Sequence, residues 1–226
     1  MLAWYFAGKH NKLGFGDNRL VGVGKMHTVT CVPVLCESGL HGSVRVMDAL
    51  DYARSAMLYR VDITRNVRIG ADKICGQHRK YLSGFDATDV LREFGRKQAL
   101  INVSKVKPHC TASEYDEIIN WLDTGNPKIR ASAFNAAERV RNKLANSRGG
   151  GVSLNVQAAA DSVSESARSP GDRDAWQVAR CSFRFAVDSV TVRLSQTASN
   201  IILPGIRTTA NEMLTEMVEA AYGKSS

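Results

Sequence analysis

Cys31, Cys36 and His41 stand with four residues between each and the next, and Cys75-x-x-His78 follows further along the chain. Thiolate sulfur and imidazole nitrogen are the donors that hold zinc in a tetrahedral set, which makes Cys31, Cys36, Cys75 and His78 the candidate ligands. The paired C-x-x-C knuckles of a zinc module are missing, so no metal is expected. A cysteine near a histidine is also the pairing of nucleophilic catalysis, present as Cys36 with His41 and as Cys110 with His109. Residues this close in sequence seldom reach the geometry of nucleophile and base, and neither pair is expected to act.

A second chemistry lies in the basic residues. Arg54, Arg60, Arg65, Arg68, Lys73, Arg79 and Lys80 cluster around Tyr52, Tyr59 and Tyr81, the combination single-stranded nucleic acid uses, with Asp51, Asp62 and Asp72 diluting the field. The net charge of +8 falls wholly in residues 1 to 110, which hold 17 Lys and Arg against 9 Asp and Glu, while the remainder holds 13 of each. Such asymmetry marks either a polyanion-binding surface or a solvated basic face.

Composition narrows the classes. With 44% hydrophobic and 23% charged residues the chain is globular and not disordered. No apolar run approaches the roughly 20 residues that span a bilayer, and the opening MLAWYFAGKH lacks the pattern of a signal peptide, so no membrane partner and a cytoplasmic location are expected. Five scattered cysteines read as reduced thiols. Walker A, nucleophile-elbow, H-E-x-x-H and Rossmann patterns are absent, and the glycines at 14, 16, 22 and 24 read as hairpin and loop residues.

The elements that must position these residues follow from periodicity. Ala3 to Ala7 reads as a strand, valine-rich Thr28 to Leu35 as an edge strand, and Met57 to Thr64 as a half-buried strand. Between them Ser43 is placed to cap a helix over Val44 to Arg54, with Val46, Met47, Leu50 and Ala53 on one face. Short strands are expected over Val67 to Tyr81. Asp86 or Thr88 should cap a helix that turns Val90, Leu91, Phe94 and Ile101 inward. Helices are predicted over Tyr115 to Leu122 and Ile129 to Leu144, and residues 146 to 173, rich in Ser, Asn and Gly at their ends, read as a linker. Beyond it, Trp176, Ala179, Phe183, Val187, Val190 and Leu194, then Leu203, Ile206, Ala210, Met213, Met217 and Ala220, form two apolar stripes that call for a helical hairpin. The expected class is α+β: a small mixed sheet with helices in residues 1 to 104, then a helical hairpin or bundle in residues 105 to 226, whose helices are candidates for oligomerisation.

The runs LCESGLHGS from Leu35, DALDYA from Asp48 and LYRVD from Leu58 resemble an uncharacterised domain of phage and bacterial proteins, over residues 1 to about 104. That resemblance implies a phage or prophage setting and no known activity; the leading expectation is a phage-type accessory protein that binds a host or viral macromolecule, in the host cytoplasm if phage-encoded. More distantly, Gly39-Leu40-His41, followed by Ala49, Tyr52 and the strand from Leu58, is similar to the nicotinamide-binding segment of ADP-ribosyltransferases. This second resemblance implies an NAD site at Gly39, His41 and Ser43, with His41, Tyr52 and Glu93 as the catalytic candidates. Where those enzymes carry Arg or His on the first strand, this chain has Trp4 and Tyr5. Three readings remain: a macromolecule-binding protein without a cofactor, an NAD-using enzyme, and a nucleic-acid-binding protein.

Overall fold

The computed structural model describes residues 1 to 14, 16 to 146 and 154 to 223. The chain forms two compact units, the first of residues 1 to 90 with 211 onward, the second of residues 91 to 210.

The first unit is built on antiparallel strands. β1 (Leu2–Phe6) pairs with β6 (Met57–Thr64), β6 with β9 (His78–Asp86), and β9 with β4 (Met26–Thr28), a four-stranded sheet. A second sheet has β5 (Leu40–Gly42), β8 (Ile74–Gly76) and β7 (Arg68–Ile69) in the order β5-β8-β7, and β2 (Lys12–Gly14) with β3 (Asp17–Leu20) forms a separate hairpin. Every pairing is antiparallel, where a mixed sheet was expected. The two larger sheets meet at one rung, where Trp4 and Ser43 exchange backbone hydrogen bonds of 2.7 and 2.9 Å.

Period-two alternation decides what is inside. The register opposes Ala3 to Val61 and Tyr5 to Tyr59 on one side of β6, and Val61 to Tyr81 and Ile63 to Arg79 on the other, so these side chains share one covered face. Leu82 is left over at a bulge opposite Arg60 and Val61, and it is exposed. Gly84 lies under the Tyr59 ring, and a Cβ there would fall 2.4 Å from Tyr59 Cδ1. Helix α1 (Val46–Asp51) packs Val46, Met47 and Leu50 into the core.

Two expectations for this unit fail locally. Ser43 does not cap α1, because its backbone is taken by the rung to Trp4, and Arg45 stands at the N-cap. The strand expected over Thr28 to Leu35 stops at Thr28, and beyond it Cys31, Val32 and Val34 are exposed: β-branched residues without a pairing edge do not make a strand.

Helix α2 (Thr88–Asn102) begins with Asp86 Oδ1 accepting from the Thr88 N–H at 2.9 Å. From residue 91 its buried face is Leu91, Phe94, Gly95, Gln98, Ala99 and Asn102, a 3.6-residue stripe that leaves Ile101 59% exposed. In the second unit, α3 (Ala112–Thr124) opens with a capping box between Thr111 and Glu114 and ends at Gly125 in the left-handed conformation. α4 (Arg130–Asn146) buries Ala133, Ala136, Ala137 and Val140.

The expected linker over 146 to 173 holds a core helix, α5 (Leu154–Ser166), although its Gly149-Gly150-Gly151 lies outside the described residues. Ala159, Ala160, Ser162 and Val163 are buried, and α6 (Ala175–Thr191), which buries Val178, Ser182 and Ala186, packs against α5. Small side chains let the two backbones approach: Ser162 Oγ donates to the Ser182 carbonyl at 2.9 Å. The inward face of α6 is therefore rotated from the expected stripe, Leu194 lies beyond the helix, and α5 takes the partnership expected for the last helix. That helix, α7 (Gln196–Tyr222), contains Pro204. From Asn211 it counts with the first unit, where Asn211 Oδ1 accepts from Met47 N–H at 3.2 Å, and Leu214 and Val218 are buried.

Candidate functional site

The first unit contains a cavity of about 540 Å³. Three stretches brought together by the strand order make its wall: β1 around Tyr5, the turn into β5 from Cys36 to Ser43, and the β8–β9 region with Lys73 and Arg79. Leu13, Leu40 and Ala49 supply apolar surface, and Tyr52 and Arg54 border it from the end of α1. The volume suits a nucleotide-sized ligand.

Gly39 has a φ of +103°, and a Cβ there would press on Pro33 and on the Gly76 carbonyl, so glycine is required for the turn that aims His41. His41 Nδ1 lies 3.1 Å from the Gly39 carbonyl, which can only accept, so Nδ1 carries the proton and Nε2 is an acceptor. Nε2 is buried with no hydrogen-bond partner. Burial lowers the His41 pKa, against the pull of the Gly39 and Val34 backbone groups and with help from the Lys73 and Arg79 charges, so the ring stays neutral near pH 7.

Arg79 is 3% exposed. Its guanidinium stacks 3.6 Å from the Tyr5 ring centre, Nε donates to Tyr81 Oη at 2.9 Å and Nη1 donates to the His41 carbonyl. Tyr81 Oη in turn pairs with His27 Nδ1 at 2.9 Å. Since the hydroxyl accepts from Arg79, it donates to His27, whose pKa is lowered first by burial and then by the Arg19 and Arg79 charges. Burial pushes the Tyr81 phenol up to about 12 and raises that of Tyr5 against the lowering effect of Arg79, so both are neutral. At the other end of the cavity Lys73 Nζ sits 4.2 Å from the Tyr52 ring centre and 3.3 Å from Cys36 Sγ, while Tyr52 Oη donates to Asp72.

The residues expected for an NAD site, Gly39, His41 and Ser43, thus share one wall with Tyr52. Glu93 lies in the second unit on α2, paired with Lys97 at 3.4 Å. The carboxylates in the wall are instead Asp17, gripped by Arg19 Nε and Nη2, and exposed Glu37. Among the described residues no group of three or more His, Cys, Asp or Glu can hold a metal, so Cys31, Cys36, Cys75 and His78 are not assembled as ligands. Neither thiol pair is formed: Cys36 meets Lys73, and Cys110 donates to the Val106 carbonyl, its pKa pushed up to about 11 by burial. Of the basic candidates, Arg79 is internal and Arg60 lies over the Trp4 ring at 4.6 Å, whereas Arg54, Arg65, Arg68 and Lys80 are exposed.

The sequence did not foretell that Tyr5, Lys73 and an internal Arg79 border one cavity. The signal was there for Arg79: it alternates with Lys80 and shares the phase of Tyr81. Compared with models of known protein families, with curated proteins and with solved structures, the chain finds no match.

Proposed function

We propose that the first unit is a binding module for a nicotinamide dinucleotide of the NAD class, held in the cavity beside His41. The observation that carries this reading is the buried, partnerless Nε2 of a neutral His41 in the wall of a nucleotide-sized cavity. A carboxamide N–H is a suitable donor to it, and leaving a buried acceptor unmet costs about 1 to 3 kcal/mol, which a ligand would recover. Apolar Leu13, Leu40 and Ala49 offer a surface for a flat ring, and Tyr52 stands beside it. Binding is what we assign. A transferase would also need a carboxylate placed to act on the ligand; of the two in the wall Asp17 is held by Arg19 and Glu37 is exposed.

Titration calorimetry of NAD into the wild type and His41→Ala tests this reading. Saturable binding by the wild type, weakened about tenfold by loss of one hydrogen bond, is expected. No heat and no thermal stabilisation of the wild type by NAD would overturn it.

A further inference from the structure

We propose that the cavity is an anion site in which Arg79 receives a phosphate or pyrophosphate group, an inference that rests on the NAD reading only for which molecule carries the phosphate. A guanidinium does not deprotonate in a protein, so Arg79 is a permanent buried charge. Such a charge is costly without a counter-ion. Yet its contacts, the Tyr5 and Tyr81 rings, Tyr81 Oη and the His41 carbonyl, are all neutral. No carboxylate of a described residue forms an ion pair with it.

The groups around it cannot supply the missing charge. Burial keeps Tyr5 and Tyr81 protonated. Asp17 is spanned by the Nε and Nη2 of Arg19 at 3.0 and 2.7 Å, and Glu37 is exposed. The second unit offers the contrast: its buried carboxylate, Glu165, lies 3.5 Å from both Arg168 and Arg173. At Arg79 the protein contributes the cation alone.

The geometry suits an oxyanion. Nε and Nη1 are fixed by Tyr81 and His41, Tyr5 covers one face, and these contacts leave Nη2 for an acceptor. Lys73 and Arg54 border the same cavity and strengthen its attraction for a polyanion. Phosphate oxygens meet a guanidinium with charge-assisted hydrogen bonds, roughly twice as strong as neutral ones.

The test is calorimetric titration of pyrophosphate, and separately of NAD, into the full chain as wild type, Arg79→Lys and Arg79→Met. Saturable one-to-one pyrophosphate binding is expected, weakened about tenfold or more by Arg79→Met and less by Arg79→Lys, which keeps the charge without the fork. Absence of saturable binding by the wild type, or equal affinity in all three proteins, would overturn the site. Should a variant not fold, the Arg79 Nε–H resonance of the wild type, assigned through its contacts with the Tyr81 and Tyr5 rings, must shift on pyrophosphate addition; an unmoved resonance overturns the site as well. Pyrophosphate binding without NAD binding refutes the dinucleotide reading and leaves Arg79 as the receptor. NAD binding indifferent to Arg79→Met does the reverse.

Discussion

The two units bury charge in different ways. In the second unit the interior is closed by alanine and serine: Ser162 and Ser166 hydroxyls bond nearby carbonyls, Asn102 Nδ2 donates to the Ala186 carbonyl at 3.3 Å, and Glu165 has two arginines. In the first unit Tyr5, Tyr59, Tyr81, His27 and Arg79 are packed edge to face and ring to cation, and beside them are a cavity, a partnerless imidazole nitrogen and a guanidinium without a carboxylate. Buried side-chain atoms without a hydrogen bond occur in both, Glu165 Oε2, Arg168 Nε and Trp176 Nε1 in the second unit and His41 Nε2 in the first, so the contrast lies in the charge: Glu165 has arginines beside it and Arg79 has no carboxylate. The first unit sets Arg79, which has no carboxylate beside it, and His41 in the wall of one cavity, and the proposed site rests on that arrangement.

The sharpest way to break this contrast is to remove a side chain that serves packing alone. Leu50 is fully buried at the base of α1, and Leu50→Ala should cost about 2 to 5 kcal/mol in denaturant unfolding. A loss under about 0.5 kcal/mol would mean that the α1 face is not core. The opposite change tests the second unit. Ala160 is fully buried on α5, and Ala160→Leu should destabilise by about 1 to 3 kcal/mol, because the close approach of α5 to its neighbours leaves no room for added methyl groups. Tolerance of leucine there would place slack in the tighter of the two interiors.

The smallest expected effect is pH-dependent and belongs to the first unit. His27 and His41 both have lowered pKa values in the fold, so the unfolded chain takes up protons first as pH falls. Their contribution is complete above the unfolded value of about 6.5 and is lost as pH drops from there through the folded values. Unfolding midpoints measured across this window should decline, and the decline should be shallower in His27→Gln. An identical slope in that variant would take His27 out of the account.

The strands and the outer helices were legible because their burial follows a single period. Met57 to Thr64 alternates as it reads, and the α4 stripe lies where alanine spacing puts it. α5 was illegible for a physical reason: Ser162, Ser164 and Ser166 score as polar, yet their hydroxyls are absorbed by carbonyl and carboxylate acceptors, so a core helix carries the composition of a linker. The site was half legible. The glycine turn and His41 stood out as a local motif, but the cavity they line is closed by Tyr5, Lys73 and Arg79 from strands far apart in sequence, and only long-range pairing brings those together. Arginine near tyrosine suggested a surface for nucleic acid; of that set Arg79 is met inside, stacked on Tyr5, while Arg54, Arg65, Arg68 and Lys80 are exposed.

The rung between Trp4 and Ser43 gives the molecule a built-in gauge. Among the described residues its two amides form the β-bridge that joins the four-stranded and three-stranded sheets, and both residues also border the cavity. Their exchange with deuterated solvent therefore times the parting of those sheets, and a bound ligand that spans the cavity from β1 to the β5 turn should slow these two amides more than those at the centre of β6.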